Sequence, residues 1–300
     1  MWSIKLDTLA SVDVPGSIRR IETFPASALA LLNQIPPRPD TLQQLDELLT
    51  KEPLLVQAMD QIAVASGKYQ DGQALGLSAM MQRIGAAELI EIAITLLLRG
   101  YMHRALNVIE DQRYWCYTLA CAVSCQEIAL PGEANGLIAY VGGLLHDIGR
   151  LALVAAYPDK YANLLTLIDR MFREETSFDL LAREEMMFGM DHFATGTWLA
   201  TEWRLPPWLH AVTGRFKEDT AGEYHALVAT VRSGTRLAHS LGFGYLEAAP
   251  RAEIKEIFVD LPEVWKRWQN LDYWKHAEDH VRSKVQSKLA LYAPATPESD

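Results

Sequence analysis

Between Ala134 and Leu145 the chain is apolar on almost every side of a helix, and it then meets His146 and Asp147. A helix that is greasy all round belongs in the interior, so other elements must be able to surround it. Burying His146 and Asp147 at its end without partners would be costly. A metal ion would meet that cost, because neutral imidazole and carboxylate are both good ligands. Adjacent residues on a helix point about 100° apart, so convergence on one ion needs the helix to end or bend. Gly149 is the expected break. The competing reading is that both side chains hydrogen-bond nearby backbone and caps.

What surrounds this segment also reads as helix. Thr41 to Gln44 matches a capping box, with Thr41 at the N-cap and Gln44 at N3, ahead of a stripe of Leu42, Leu45, Leu48 and Leu49. Pro53 suits the first turn of the next helix and Gly67 its stop. A short helix is expected from Ser78 to near Gly85, then a long one over 86–99, and another over 112–130 ended by Pro131-Gly132. Further helices are expected from Pro158 to Phe172, Asp179 to Phe188, His192 to Trp203, Pro207 to Thr213 and Tyr224 to Leu241. Sustained alternation with β-branched residues is not found, so the expected fold is all-α. The pattern suggests a first helical lobe over about 21–105 and a second, carrying the polar motifs, over about 110–245. These sit between an N-terminal extension, 1–20, and a C-terminal helical extension, 246–300.

Composition narrows the function classes. The hydrophobic fraction is 49% and the charged fraction 22%, which supports a sizeable core. A net charge of −10 and a pI near 5.3 argue against binding nucleic acid or an anionic membrane through a basic surface. Asp7 interrupts any signal-peptide pattern at the start. The greasy stretch Ile92 to Leu98 is far shorter than the roughly 20 residues a bilayer demands, so a cytoplasmic protein is expected. Cys116, Cys121 and Cys125 lie in one apparent helix and are read as small buried hydrophobes. In the tail, Trp265, Trp268, Tyr273 and Trp274 stand among bases and acids. They are read as anchors of a helix on the body in preference to a nucleic-acid face.

The stretch Gly142-Gly143-Leu144-Leu145-His146-Asp147-Ile148-Gly149-Arg150 closely resembles the signature of the HD superfamily, whose enzymes are metal-dependent phosphohydrolases. Within it the chain is similar to the HDOD family, the HD-related output domains. Leu48 to Leu55 resembles one conserved stretch of that family and Ser78 to Gly85 another. Glu184, Phe188-Gly189, His192, Gly196, Trp203 and Leu205-Pro206 fit a third. The resemblance spans roughly 21–245. It implies an HD-type helical core with an N-terminal helical lobe and a non-catalytic signalling role in bacteria. Its implied partners are signalling proteins, such as a kinase, a receiver or a cyclic-dinucleotide enzyme. With only 20 residues ahead of the domain, a stand-alone module is expected.

The same resemblance marks where ligands of an HD enzyme would stand. Tyr117 falls at the place of a ligand His, Arg215 and Phe216 at that of a His-His pair, and His239 at that of a closing Asp. Phenol must lose a proton with a pKa near 10 to bind a metal well, Phe216 cannot ligate, and Arg215 brings fixed positive charge. The retained metal candidates are His146, Asp147, His192 and, as a replacement, His239. No cofactor is expected beyond a possible divalent ion. Two alternatives remain: a phosphohydrolase using those four ligands, and a nucleotide-binding sensor using Arg215, His192 and His239 as anion contacts. His103, His210, His225, His276 and His280 are read as surface or capping residues.

Overall fold

The structure, a computed structural model, describes residues 13–38, 40–68, 77–106, 108–129, 136–174, 178–214, 222–246, 249, 251–261 and 271–293. Every regular element among them is helical. The N-terminal part comprises α1 (Gly16–Arg19), α2 (Ala26–Leu32), α3 (Thr41–Leu49), α4 (Pro53–Ala65), α5 (Leu77–Ile84) and α6 (Ala86–Ala105). The polar motifs ride on α7 (Val108–Ala129), α8 (Gly136–Leu145), α9 (Ile148–Ala156), α10 (Pro158–Arg173), α11 (Leu180–Phe188), α12 (His192–Glu202), α13 (Pro207–Gly214) and α14 (His225–Ala238). A π-helical turn, His239–Phe243, follows, and then α15 (Ile254–Ile257) and α16 (Leu271–Leu291).

α8 is the centre, as its all-round apolarity requires. Leu137 and every residue from Ala139 to Leu145 are buried, with α7 packed along one side and α14 and α6 on others. α7 is itself held between α8 and α14, and two glycines set that spacing. A Cβ on Gly143 would fall 2.7 Å from both the Cys121 carbonyl oxygen and Cys125 Sγ, and one on Gly234 would fall 2.3 Å from Cys125 Sγ. Cys121 and Cys125 are therefore small core residues at a close helix crossing, both buried and free. Burial pushes both thiols up, away from the reactive thiolate.

Taken together, 136–156 is apolar and long enough to cross a bilayer, but 94% of its most apolar window lies inside the protein. Among the described residues it is the one helical stretch long and apolar enough to do so.

Local sequence explains most boundaries. Pro53 stands in the first turn of α4, and Gly67 closes that helix at φ +73°. The expected capping box does not form: Asp40, not Thr41, is the N-cap, and its side chain makes no capping hydrogen bond. The Thr41 hydroxyl is already used, accepting from the Arg38 N–H at 2.7 Å, and Gln44 Nε2 donates to Asp40 Oδ2 at 2.6 Å. α6 runs past the expected end at Arg99 because buried Tyr101 and Met102 extend its apolar face. The expected helix to Leu241 ends at Ala238, and the chain winds into the π-turn, where Gly242 has φ +90°. Pro131-Gly132, Trp265 and Trp268 lie outside the described residues, as do the side chains of Tyr273 and Trp274. α16 docks on the body through buried Val281 and Val285, with Tyr292 buried just past its end.

Candidate functional site: a guanidinium in the HD turn

α8 ends at Leu145 and α9 begins at Ile148. The bend is therefore His146-Asp147 itself, with Asp147 at φ −110°, ψ 29°. Gly149 is not the break; it is a helical residue of α9. Its role is proximity, since a Cβ there would sit 1.8 Å from the His192 carbonyl oxygen. A glycine at 149 lets α9 and α12 touch, and that contact brings His192 to the HD turn.

The residue at the focus is Arg150. Its Nε donates to Asp147 Oδ2 at 2.5 Å, Nη1 donates to the Tyr161 hydroxyl at 3.3 Å, and Nη2 faces His192 Nε2 at 3.3 Å. Glu184, wholly buried, completes the ring. It accepts from the Tyr161 hydroxyl at 2.5 Å, from the His192 backbone N–H at 3.0 Å and from His192 Nδ1 at 2.5 Å. This pattern fixes one tautomer of neutral His192: Nδ1 carries the proton toward the carboxylate, and Nε2 turns its lone pair to the guanidinium. The Tyr245 ring lies over Arg150, 5.3 Å from its guanidinium carbon. Tyr114 and Tyr117 pack edge-on and tilted against Tyr245 at 5.7 and 5.9 Å, and the Tyr114 hydroxyl donates to the Asp147 carbonyl.

His146 stands beside this cluster with both ring nitrogens engaged. Nδ1 meets the Gly143 carbonyl at 2.8 Å and Nε2 meets the Tyr117 hydroxyl at 2.9 Å. Burial holds its pKa below the ordinary 6.5, so the ring is neutral at pH 7, donating from Nδ1 and accepting at Nε2. Burial also raises the Tyr117 phenol well above its usual value. Tyr117 therefore remains a protonated donor. Burial pushes Glu184 upward, but the hydrogen bonds from His192 and the Arg150 charge outweigh it and hold the carboxyl below its ordinary value. Burial alone would disfavour the Arg150 cation, and the carboxylates of Asp147 and Glu184 reverse that.

Of the four metal candidates, Asp147 and His192 meet at the Arg150 guanidinium, and His146 stands beside them, engaged by Gly143 and Tyr117. His239 does not join them: it lies in the π-turn, and its Nε2 meets the Ala249 carbonyl at 3.1 Å. Arg215 and Phe216 lie outside the described residues. Among the described residues no three His, Cys, Asp or Glu side chains gather around a point that could hold an ion. A divalent ion does not fit this donor set. Asp147 is committed to Arg150, His192 Nε2 faces a positive charge, and both nitrogens of His146 are engaged. Of the contacts named for the nucleotide-sensor alternative, His192 is enclosed between Arg150 and Glu184, His239 meets the Ala249 carbonyl, and Arg215 lies outside the described residues.

Sequence reasoning placed Arg150 and Glu184 within motifs without giving them roles, and missed Tyr161 and Tyr245. The i, i+3 spacing of Asp147 and Arg150 on a helix was the available signal. Nothing local marks Tyr245, which comes from beyond α14.

Residues 23–217 match the family model of the HDOD domain, and the chain belongs to that family. Among solved structures it is similar to an HDOD domain protein of unknown function from Geobacter sulfurreducens. The TM-score is 0.72 at 18% identity, covering 96% of this chain and 97% of that one. A candidate phosphohydrolase from Shewanella amazonensis SB2B gives 0.64 at 18% identity, with 91% and 96% covered. A candidate signal transduction protein from Marinobacter aquaeolei VT8 gives 0.63 at 17%, covering 96% of this chain and 62% of that one. At these identities the likeness establishes the all-α HDOD fold. No curated protein matches the chain.

Proposed function

We propose that this protein is a non-catalytic signalling module that acts by recognising other proteins, with an HD site converted into a structural charge cluster. The observation that carries this reading is the Arg150 guanidinium between Asp147 Oδ2 and His192 Nε2, at 2.5 and 3.3 Å. An HD hydrolase needs a cation with open coordination positions to activate water and hold phosphoryl oxygens. A guanidinium offers neither. It can neutralise carboxylates and hold them in place, which is a scaffold's need. The HDOD family and the signal-transduction name of one structural relative favour a regulatory setting inside the cell, with a kinase, receiver or cyclic-dinucleotide enzyme as partner.

The test is elemental analysis of protein purified without chelator, together with assays on phosphomonoesters, phosphodiesters and cyclic dinucleotides. The expected result is substoichiometric metal and turnover no greater than that of His146→Ala. Stoichiometric manganese, iron, nickel or zinc, with turnover lost in His146→Ala, would overturn the reading.

A further inference from the structure

α16 lies beyond the residues matched by the family model and rests on α7, covering two buried carboxylates of the core. Glu91, on α6, receives Lys288 Nζ and, at 2.6 Å, Gln126 Nε2. Glu127, on α7, receives Lys284 Nζ at 2.5 Å and has His280 Nε2 at 3.5 Å. Lys288 Nζ also stands 4.3 Å from the centre of the Tyr140 ring. Between these polar contacts lie Val281 and Val285, and at the end Tyr292 meets Trp115 edge-on at 6.3 Å. The seat is imperfect there, because Trp115 Nε1 is buried with no hydrogen-bond partner among the described residues. Trimming so polar a cover leaves an acidic groove floored by Tyr140 and Trp115. Polar contacts of this kind resemble exchangeable interfaces more than permanent cores.

We propose that this α6–α7 groove is a docking site for a basic amphipathic helix of a signalling partner, and that α16 occupies it in the free protein as a displaceable intramolecular mimic. The partner chemistry is read from α16. Two lysines four residues apart face Glu127 and Glu91, and apolar residues lie one position after and three before the first lysine. An aromatic residue stands four positions beyond the second lysine. Such a ligand places its charges against the carboxylates and its apolar stripe along α7. The proposal rests on the reading of the protein as a recognition module and names its surface and ligand.

The experiment uses the full chain and a synthetic peptide of residues 271–293. Hydrogen exchange on the unmodified protein is expected to show α16 opening on its own, with lower protection than α7 and α8. In the Lys284→Glu/Lys288→Glu chain, which should release α16, the peptide is expected to bind, and more weakly at high salt. Adding Glu91→Gln and Glu127→Gln to that chain should weaken binding about thirtyfold. The unmodified chain should bind it at least tenfold more weakly than the released chain. If α16 exchanges only with global unfolding, or if the released chain does not bind the peptide, the proposal is wrong. Failure here leaves the non-catalytic reading intact, since that depends on metal content and turnover.

Discussion

A guanidinium presents five N–H donors in one plane, and Arg150 spends three of them on Asp147, Tyr161 and His192 at once. Removing one partner of a buried charge pair leaves the other uncompensated, at about 3–5 kcal/mol. Arg150→Gln is therefore expected to lose stability of that order in urea unfolding, and Arg150→Lys nearly as much, because an ammonium cannot span three partners. Two buried groups among the described residues contribute to the acid limb. Glu184 has its folded pKa below the ordinary 4.5, so its contribution is present above 4.5 and is lost as pH falls through the folded value. His146 has its folded pKa below 6.5, so the unfolded chain takes up that proton first, and stability falls as pH drops below 6.5. The urea midpoint should decline as pH falls below 6.5 and decline further below 4.5, and Glu184→Gln should flatten the part of the curve below 4.5. Tyr117→Phe removes the donor to His146 Nε2 and should cost about 1 kcal/mol.

Helices were legible one at a time because amphipathic periodicity and caps are local, and α4, α10 and α11 lie within a residue or so of expectation. What was illegible depends on contacts between elements. The π-turn after α14 is one case, with His239 directed to Ala249. The role of Gly149 is another, since a glycine after a polar pair reads as a break until α12 is seen lying against it. Gly149→Ala should force α9 from α12 and cost at least about 1–3 kcal/mol. Gly100→Ala is the control: it too is helical, with nothing nearer than Arg104 Nη1 at 3.8 Å, so it should be neutral or gain up to about 1 kcal/mol. Thermal or urea unfolding of both variants checks the contrast.

At the scale of the molecule, four helices and a post-helical turn build one polar centre. α9 supplies Arg150, α10 Tyr161, α11 Glu184, α12 His192, and the segment after α14 Tyr245. The sequence displayed His146 and Asp147 as polar residues in an apolar setting, and the family resemblance added His192; of these, Asp147 and His192 both reach Arg150. It did not display which cation they would surround, because that depends on the angle at which α9 emerges from the HD turn. Treatment with a chelator should leave the melting temperature within a degree of the untreated value, measured by circular dichroism, as expected of a fold that carries its own counter-charge. The covalent tether of that charge has a cellular consequence. Protein sites for transition metals compete in a common pool, can be filled by the wrong ion and empty when supply fails. If the cation of this site is encoded in the gene as Arg150, as proposed above, the chain stands outside that competition, and its abundance and shape need not vary with the nutrition of the cell.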